Sequence, residues 1–130
     1  MIYISEEAQH MSKRILVIDD NEDILEILNI VFQESGYDVI LSNTGEAADN
    51  IAVIRPDLIL LDVNIVGSEK TGPEICREIK SNYLTADLPV MLVSAETDLD
   101  LIAVGCGANS FVRKPFDIYE LLMHVKQYLS

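Results

Sequence analysis

The chain has 130 residues, 22 acidic against 9 basic, a formal net charge of −13, and a hydrophobic share of 49%. That is enough for one domain with one substantial core, and the composition is that of a globular chain, not a disordered or repetitive one. The acidity argues against non-specific binding to nucleic acid, which needs a basic footprint, but leaves a cation or a basic protein surface open as partner.

The opening "MIYISEEAQH" lacks the charged, apolar and cleavage regions of a signal peptide, and the longest apolar runs are strand-length. A soluble, cytoplasmic protein without membrane contact is therefore expected. Residues 1–12 are expected to form a flexible tail, with 13–130 as the folded domain. Two other readings of the start stay open: Met11 as the natural first residue, and "IYIS" as an edge strand or partner contact.

"RILVID" (14–19) reads as a fully buried strand. Asn21 then suits an N-cap, with Glu22 and Asp23 in the first turn, and Ile24, Leu25, Ile27, Leu28, Val31 and Phe32 follow at helical spacing up to Gly36. "YDVIL" (37–41) is a second strand. Thr44 caps a second helix running to about Ile54, which "RPD" ends. "DLILLDV" (57–63) is a third strand, apolar on both faces, followed by a polar loop and a helix over 73–82. "LPVMLVSA" (88–95) is a fourth strand. A short, weak helix over 96–104 follows; its Leu99, Leu101 and Ile102 fit a helical stripe poorly. A fifth strand is read at 109–113, and Ile118, Leu121, Leu122, Val125 and Leu129 mark a closing helix. Cys76 and Cys106 have no metal-type spacing and read as plain core or surface thiols; His10 and His124 read as surface residues.

Strand and helix alternate five times, which predicts right-handed crossovers and a three-layer, doubly wound (βα)5 α/β fold around a parallel five-stranded sheet. Ligands of such sheets bind at the carboxyl ends of the strands. There the chain sets Asp19 and Asp20 at the end of strand one, Asp62 near the end of strand three, Ser94 at the end of strand four and Lys114 after strand five. Two carboxylates ~4 Å apart repel by about 4 kcal/mol at an effective dielectric near 20, so the cluster needs cations. Lys114 is one, and a divalent ion preferring oxygen, Mg²⁺ above all, is the other. A carboxylate beside such an ion, an amine and a hydroxyl is arranged to accept a phosphoryl group, with Asp62 as nucleophile. Each residue also has a plainer reading: Asp19 and Asp20 as helix caps, Lys114 as a surface lysine, Ser94 as a turn serine, Phe111 as a core aromatic.

"ILVIDDNED", "DLILLDVN", "VSAET" and "FVRKPFD", in this order and at strand ends, resemble the receiver domain of two-component response regulators. The resemblance covers about residues 13–129 and implies a flavodoxin-like sheet of order 2-1-3-4-5. It implies that Asp62 is phosphorylated from a phosphohistidine on a sensor kinase or phosphotransfer protein, the domain catalysing its own phosphorylation and dephosphorylation without being an enzyme in the usual sense. By the same resemblance, Asp20, Asp62 and the backbone carbonyl of Asn64 ligate Mg²⁺ (Mn²⁺ or Ca²⁺ as substitutes), and Asp19 acts through a water. Ser94 is the switch hydroxyl, Lys114 the phosphoryl contact, Phe111 the aromatic switch, and the peptide before Pro115 is cis. Asn64 and Glu96 flank the path of hydrolytic water and tune dephosphorylation. Output is to a protein partner, with a homodimer through the fourth helix, fifth strand and fifth helix as one form.

Two stretches depart from that pattern. The loop "DVNIVGSEKTG" lacks the family's Met-Pro and is about two residues longer, and Ser94 to Lys114 spans 20 positions, about two fewer than the family's spacing. The chain is either a stand-alone receiver or one piece of a longer protein. Competing functions are an Mg²⁺-dependent phosphatase with an aspartate nucleophile, which would want an acid where Asn64 stands, and an unphosphorylated interaction module.

Overall fold

The structure, a computed structural model, describes residues 12–129, so the expected flexible tail over 1–12 falls, but for Ser12, outside the described residues. Five strands, β1 (Arg14–Ile18), β2 (Asp38–Ser42), β3 (Leu58–Leu61), β4 (Val90–Ser94) and β5 (Ser110–Arg113), make one sheet in the order β2-β1-β3-β4-β5. Every pairing is parallel, as the alternating pattern predicts. Five helices cover it: α1 (Glu22–Glu34), α2 (Ile51–Ile54), α3 (Gly72–Ser81), α4 (Leu99–Cys106) and α5 (Ile118–Leu129). This is the flavodoxin-like α/β architecture.

The period of two along each strand divides the core between the two faces. Ile15 and Val17 pack with Leu25, Leu28 and Phe32 of α1 and Leu121 and Val125 of α5. Leu16 and Ile18 face the other way, into Ile51, Ile75, Ile79, Leu99, Ala103 and both cysteines. With helices on both sides, β1 and β3 have no polar face; Leu58–Leu61 are at most 1% exposed. Burial pushes the Cys76 thiol up to about 12, with Cys106 adding to the rise, so this pair behaves as core.

The helix starts follow local chemistry. The Asn21 side chain accepts the N–H groups of Asp23 and Ile24, with Glu22 and Asp23 at the positive end of α1. Thr71 and Glu74 form a reciprocal capping box at the start of α3, where Pro73 needs no N–H partner.

Two expected elements come out differently. The single helix over 44–54 is a 3₁₀ segment, Gly45–Asn50, followed by the one-turn α2. Gly45 is pressed against the side chains of Ser68 and Ile75, and Asp49 and Asn50 favour the α-helix weakly. Regular geometry begins only at buried Ile51 and ends at Arg55, whose φ is +54°. The fourth helix begins at Leu99, not 96, and does carry a buried stripe: Leu99, Ala103 and Cys106, with Leu101 and Val104 outside.

Candidate functional site

The buried polar side chains among the described residues are Asp19, Asp62 and Ser94, and all three stand at the carboxyl edge of the sheet. The sheet brings them there through its own register. The Asp62 N–H donates to the Ile18 carbonyl at 3.0 Å, the Asp19 N–H to the Ser42 carbonyl at 3.1 Å, and the Lys114 N–H to the Ser94 carbonyl at 2.9 Å. Strands β2, β1, β3, β4 and β5 thus end in step, each handing its next residue to the same rim.

Lys114 is the cation that holds the cluster. Its Nζ lies 2.7 Å from Asp19 Oδ2 and 3.2 Å from Asp62 Oδ2. The second Asp19 oxygen accepts the Asn21 N–H at 2.9 Å, and the second Asp62 oxygen accepts the Val63 N–H at 2.7 Å. Asp20 is half-buried and accepts the Val66 N–H from the β3–α3 loop at 3.1 Å. Burial and the charge of Asp19 raise the Asp62 pKa, and Lys114 opposes this only in part. Burial works against the Lys114 ammonium, yet the hydrogen bond and charge of Asp19, with Asp62 behind them, hold its pKa above the ordinary lysine value.

Asp19, Asp20 and Asp62 each offer an oxygen, all within 4.8 Å of one another. Three carboxylates with one lysine leave net negative charge at a buried site, and an all-oxygen donor set suits a hard divalent cation. The residues present therefore fit a magnesium-type ion.

Ser94 is buried, and its Oγ accepts the Glu96 N–H at 3.4 Å. Asn64 and Glu96 are bonded to each other, Asn64 Nδ2 donating to Glu96 Oε1, which ties the loop after Asp62 to the loop after Ser94. Phe111 is half-buried against the core face built from α2, α3 and α4, outside the hydrogen-bonded set. The Lys114–Pro115 peptide is cis. Three features escape a reading by motif: the Val66 N–H on Asp20, Gly72 against the Asp62 backbone, and Arg113 on the β4–α4 loop. The first two depend on how the long loop folds back. The Thr71–Glu74 pair in "TGPE" was a legible capping box, the signal that α3 docks at this rim.

A flavodoxin-like parallel sheet with three carboxylates and a lysine at its carboxyl edge defines an α/β domain with an acidic strand-end site. Known proteins make the class narrower. The family model of the response regulator receiver domain matches residues 15–126. The signal receiver domain of a signal transduction histidine kinase from Syntrophus aciditrophicus is 30% identical with a TM-score of 0.82, over 91% of this chain and 90% of that one. The receiver domain of NtrX from Brucella abortus is 28% identical with a TM-score of 0.80, over 88% and 97%. The chemotaxis protein CheY4 of Vibrio cholerae is 25% identical with a TM-score of 0.81, over 91% and 99%. The chain belongs to the response regulator receiver domain family, the receiving side of two-component signalling. Among the described residues, no helix is long and apolar enough to cross a membrane.

Proposed function

We propose that residues 13–130 form a phosphoacceptor module, in which Asp62 takes a phosphoryl group from a phosphohistidine on a sensor kinase or phosphotransfer protein. The observation that carries this is the Asp62 carboxylate itself: buried at a strand end, ion-paired to Lys114 and set among two further carboxylates. Asp20, Asp62 and the Asn64 carbonyl would hold Mg²⁺, with Asp19 acting through a water; when bound, the ion supplies positive charge for the oxygens of the phosphoryl group. Asp62 attacks phosphorus through a carboxylate oxygen, the P–N bond breaks, and its electrons leave on the imidazole nitrogen, which takes up a proton. The Lys114 ammonium faces the same oxygens, and its charge offsets part of the rise that burial and Asp19 impose on the Asp62 pKa. The Ser94 hydroxyl donates to the phosphoryl group, and its movement frees space for Phe111 to turn inward. Exposed Leu101, Val104, Tyr119 and Met123 on α4 and α5 support this face as the one that a protein partner or a second copy reads.

The test is incubation with phosphoramidate or acetyl phosphate and Mg²⁺, followed by intact mass for the wild type and Asp62→Ala. One phosphoryl mass is expected, dependent on Mg²⁺ and absent from the variant. No adduct, or one that survives the substitution, would favour an interaction domain that is never phosphorylated.

The bonded pair Asn64–Glu96 bears on lifetime. Both side chains are polar and able to orient water beside the acyl phosphate. Replacing both with leucine is expected to slow its loss by about tenfold, less than the roughly 10²–10⁴-fold of a full general acid or base because the pair only orients water. Decay at the wild-type rate, followed by mass after donor removal, would show that the pair does not govern hydrolysis.

A further inference from the structure

Arg113 stands one residue before Lys114 on β5, paired in register with Ser94. Its Nη1 donates to the carbonyls of Glu96 at 3.1 Å and Thr97 at 3.0 Å. Nη2 lies 3.5 Å from Asp100 in the first turn of α4, and the guanidinium carbon is 5.7 Å from the centre of the Phe111 ring. The Asp100 pair is about half exposed on both sides and counts for little. The two carbonyl bonds are exposed as well, but together they hold one guanidinium nitrogen to two successive residues of the loop. Both are charge-assisted, and both carbonyls lie ahead of the helical ladder of α4, which opens with the Ile102 N–H on the Asp98 carbonyl.

These contacts converge on the segment that leaves Ser94. The Glu96 N–H is bonded to the Ser94 hydroxyl, and the Glu96 carboxylate is bonded to Asn64 on the loop after Asp62. One guanidinium therefore ties β5, the β4–α4 loop, the start of α4 and the Phe111 ring together. A movement of Ser94 toward Asp62 that carries Glu96 and Thr97 away from β5 breaks both carbonyl bonds. A rotation of Phe111 away from Arg113 loses the ring contact.

We propose that Arg113 is a positioning residue for Ser94 and Phe111: it holds the β4–α4 loop in the arrangement seen here and so limits how readily Asp62 gains a phosphoryl group. This rests on the phosphoacceptor reading above. Contacts present in one arrangement and broken in the other bias the equilibrium toward the first. Removing them strengthens, by the same factor, whatever favours the second.

The experiment compares the full chain with Arg113→Ala, Arg113→Lys and Asp100→Ala. It measures the rate of phosphoryl gain from phosphoramidate with Mg²⁺ and the affinity for beryllium fluoride, an inorganic phosphoryl analogue. Arg113→Ala is expected to bind beryllium fluoride about 5-fold tighter, the low end of ordinary coupling between sites, and to gain the group faster than the wild type. Arg113→Lys should fall between, since an ammonium cannot hold both carbonyls and cover the ring. Asp100→Ala should change either quantity less than about twofold, as an exposed pair would. Mere structural damage slows phosphoryl gain and does not tighten the analogue. Equal or slower gain in Arg113→Ala and Arg113→Lys, beside a wild type that is phosphorylated, overturns the proposal alone. A wild type that gains nothing overturns the phosphoacceptor reading and this proposal with it.

Discussion

Lys114→Met is expected to cost about 3 kcal/mol of stability at neutral pH in the presence of a chelator, because it strips the cation from a buried pair. Asp19 and Asp62 would then face each other uncompensated, with side chains 3% and 11% exposed. The pH dependence identifies the cause. The Asp62 pKa is raised by burial and by Asp19, so the folded state binds a proton that the unfolded chain has already released. Stability therefore falls as pH rises from the ordinary carboxylate range through that raised value, and above it the cost is complete. The deficit of Lys114→Met should be largest near neutrality and shrink as pH is lowered toward the carboxylate range. The Lys114 pKa is raised as well, so its contribution is intact below the ordinary lysine value and is lost only as pH climbs through the raised one. The wild type should lose stability on that alkaline limb, and the variant should not. Adding Asp62→Asn to Lys114→Met should recover about 1 kcal/mol, since neighbouring groups do not add independently. Urea unfolding from pH 4 to pH 12 checks all three points, the alkaline limb lying above the ordinary lysine value. A deficit unchanged across that range would mean that Lys114 acts through packing, not charge. Neither variant should take up a phosphoryl group.

The same cluster explains which parts of this molecule could be read in advance. Unbroken apolar runs such as Leu58–Leu61 admit little but a strand buried on both faces, and residues that end such strands must meet at one rim. Asp19, Asp20, Asp62, Ser94 and Lys114 were legible for that reason, quite apart from their resemblance to a family. The second helix was not. "GEAADN" carries no strong helix signal of its own, and what decides its 3₁₀ geometry is Gly45 lying against Ser68 and Ile75, residues from another part of the chain. The stripe of α4 is hard to read in the sequence because its small members, Ala103 and Cys106, do the packing while the larger Leu101 and Val104 face outward. Arg113 gave no signal at all: in sequence it is one more basic residue beside Lys114, and its partners are backbone carbonyls, which no side-chain pattern records.

Tertiary contacts of this backbone kind also hold Asp62 in place, and they make Gly72→Ala the second substitution of large effect. The Gly72 N–H donates to the Val63 carbonyl at 2.8 Å, seating the start of α3 against the residues that carry the acceptor. A methyl on Gly72 would overlap the Asp62 carbonyl oxygen and stand 2.8 Å from the Asp62 carbonyl carbon and 3.0 Å from Val63 Cα. All three are backbone atoms, so no flexible side chain can give way. The Thr71–Glu74 capping box fixes α3 on one side, and the Asp62 N–H on the Ile18 carbonyl fixes β3 on the other. Relief must come from opening the 62–72 loop, and a loss of about 3 kcal/mol is expected, the upper range for overpacking. Opening that loop also pulls Val63 away from Asp62 Oδ1 and Val66 away from Asp20, so Mg²⁺-dependent phosphoryl gain should fall with stability. Gly67→Ala is the matched control: its φ is +86° but nothing lies within 4 Å, so only backbone strain of about 1 kcal/mol applies. Urea midpoints that rank wild type, Gly67→Ala and Gly72→Ala in falling order would establish that close approach, not backbone conformation, is what requires glycine at residue 72. Equal midpoints for the two variants would mean that α3 can withdraw from the acceptor strand without cost, and the positioning argued here for Asp62 would fall with it.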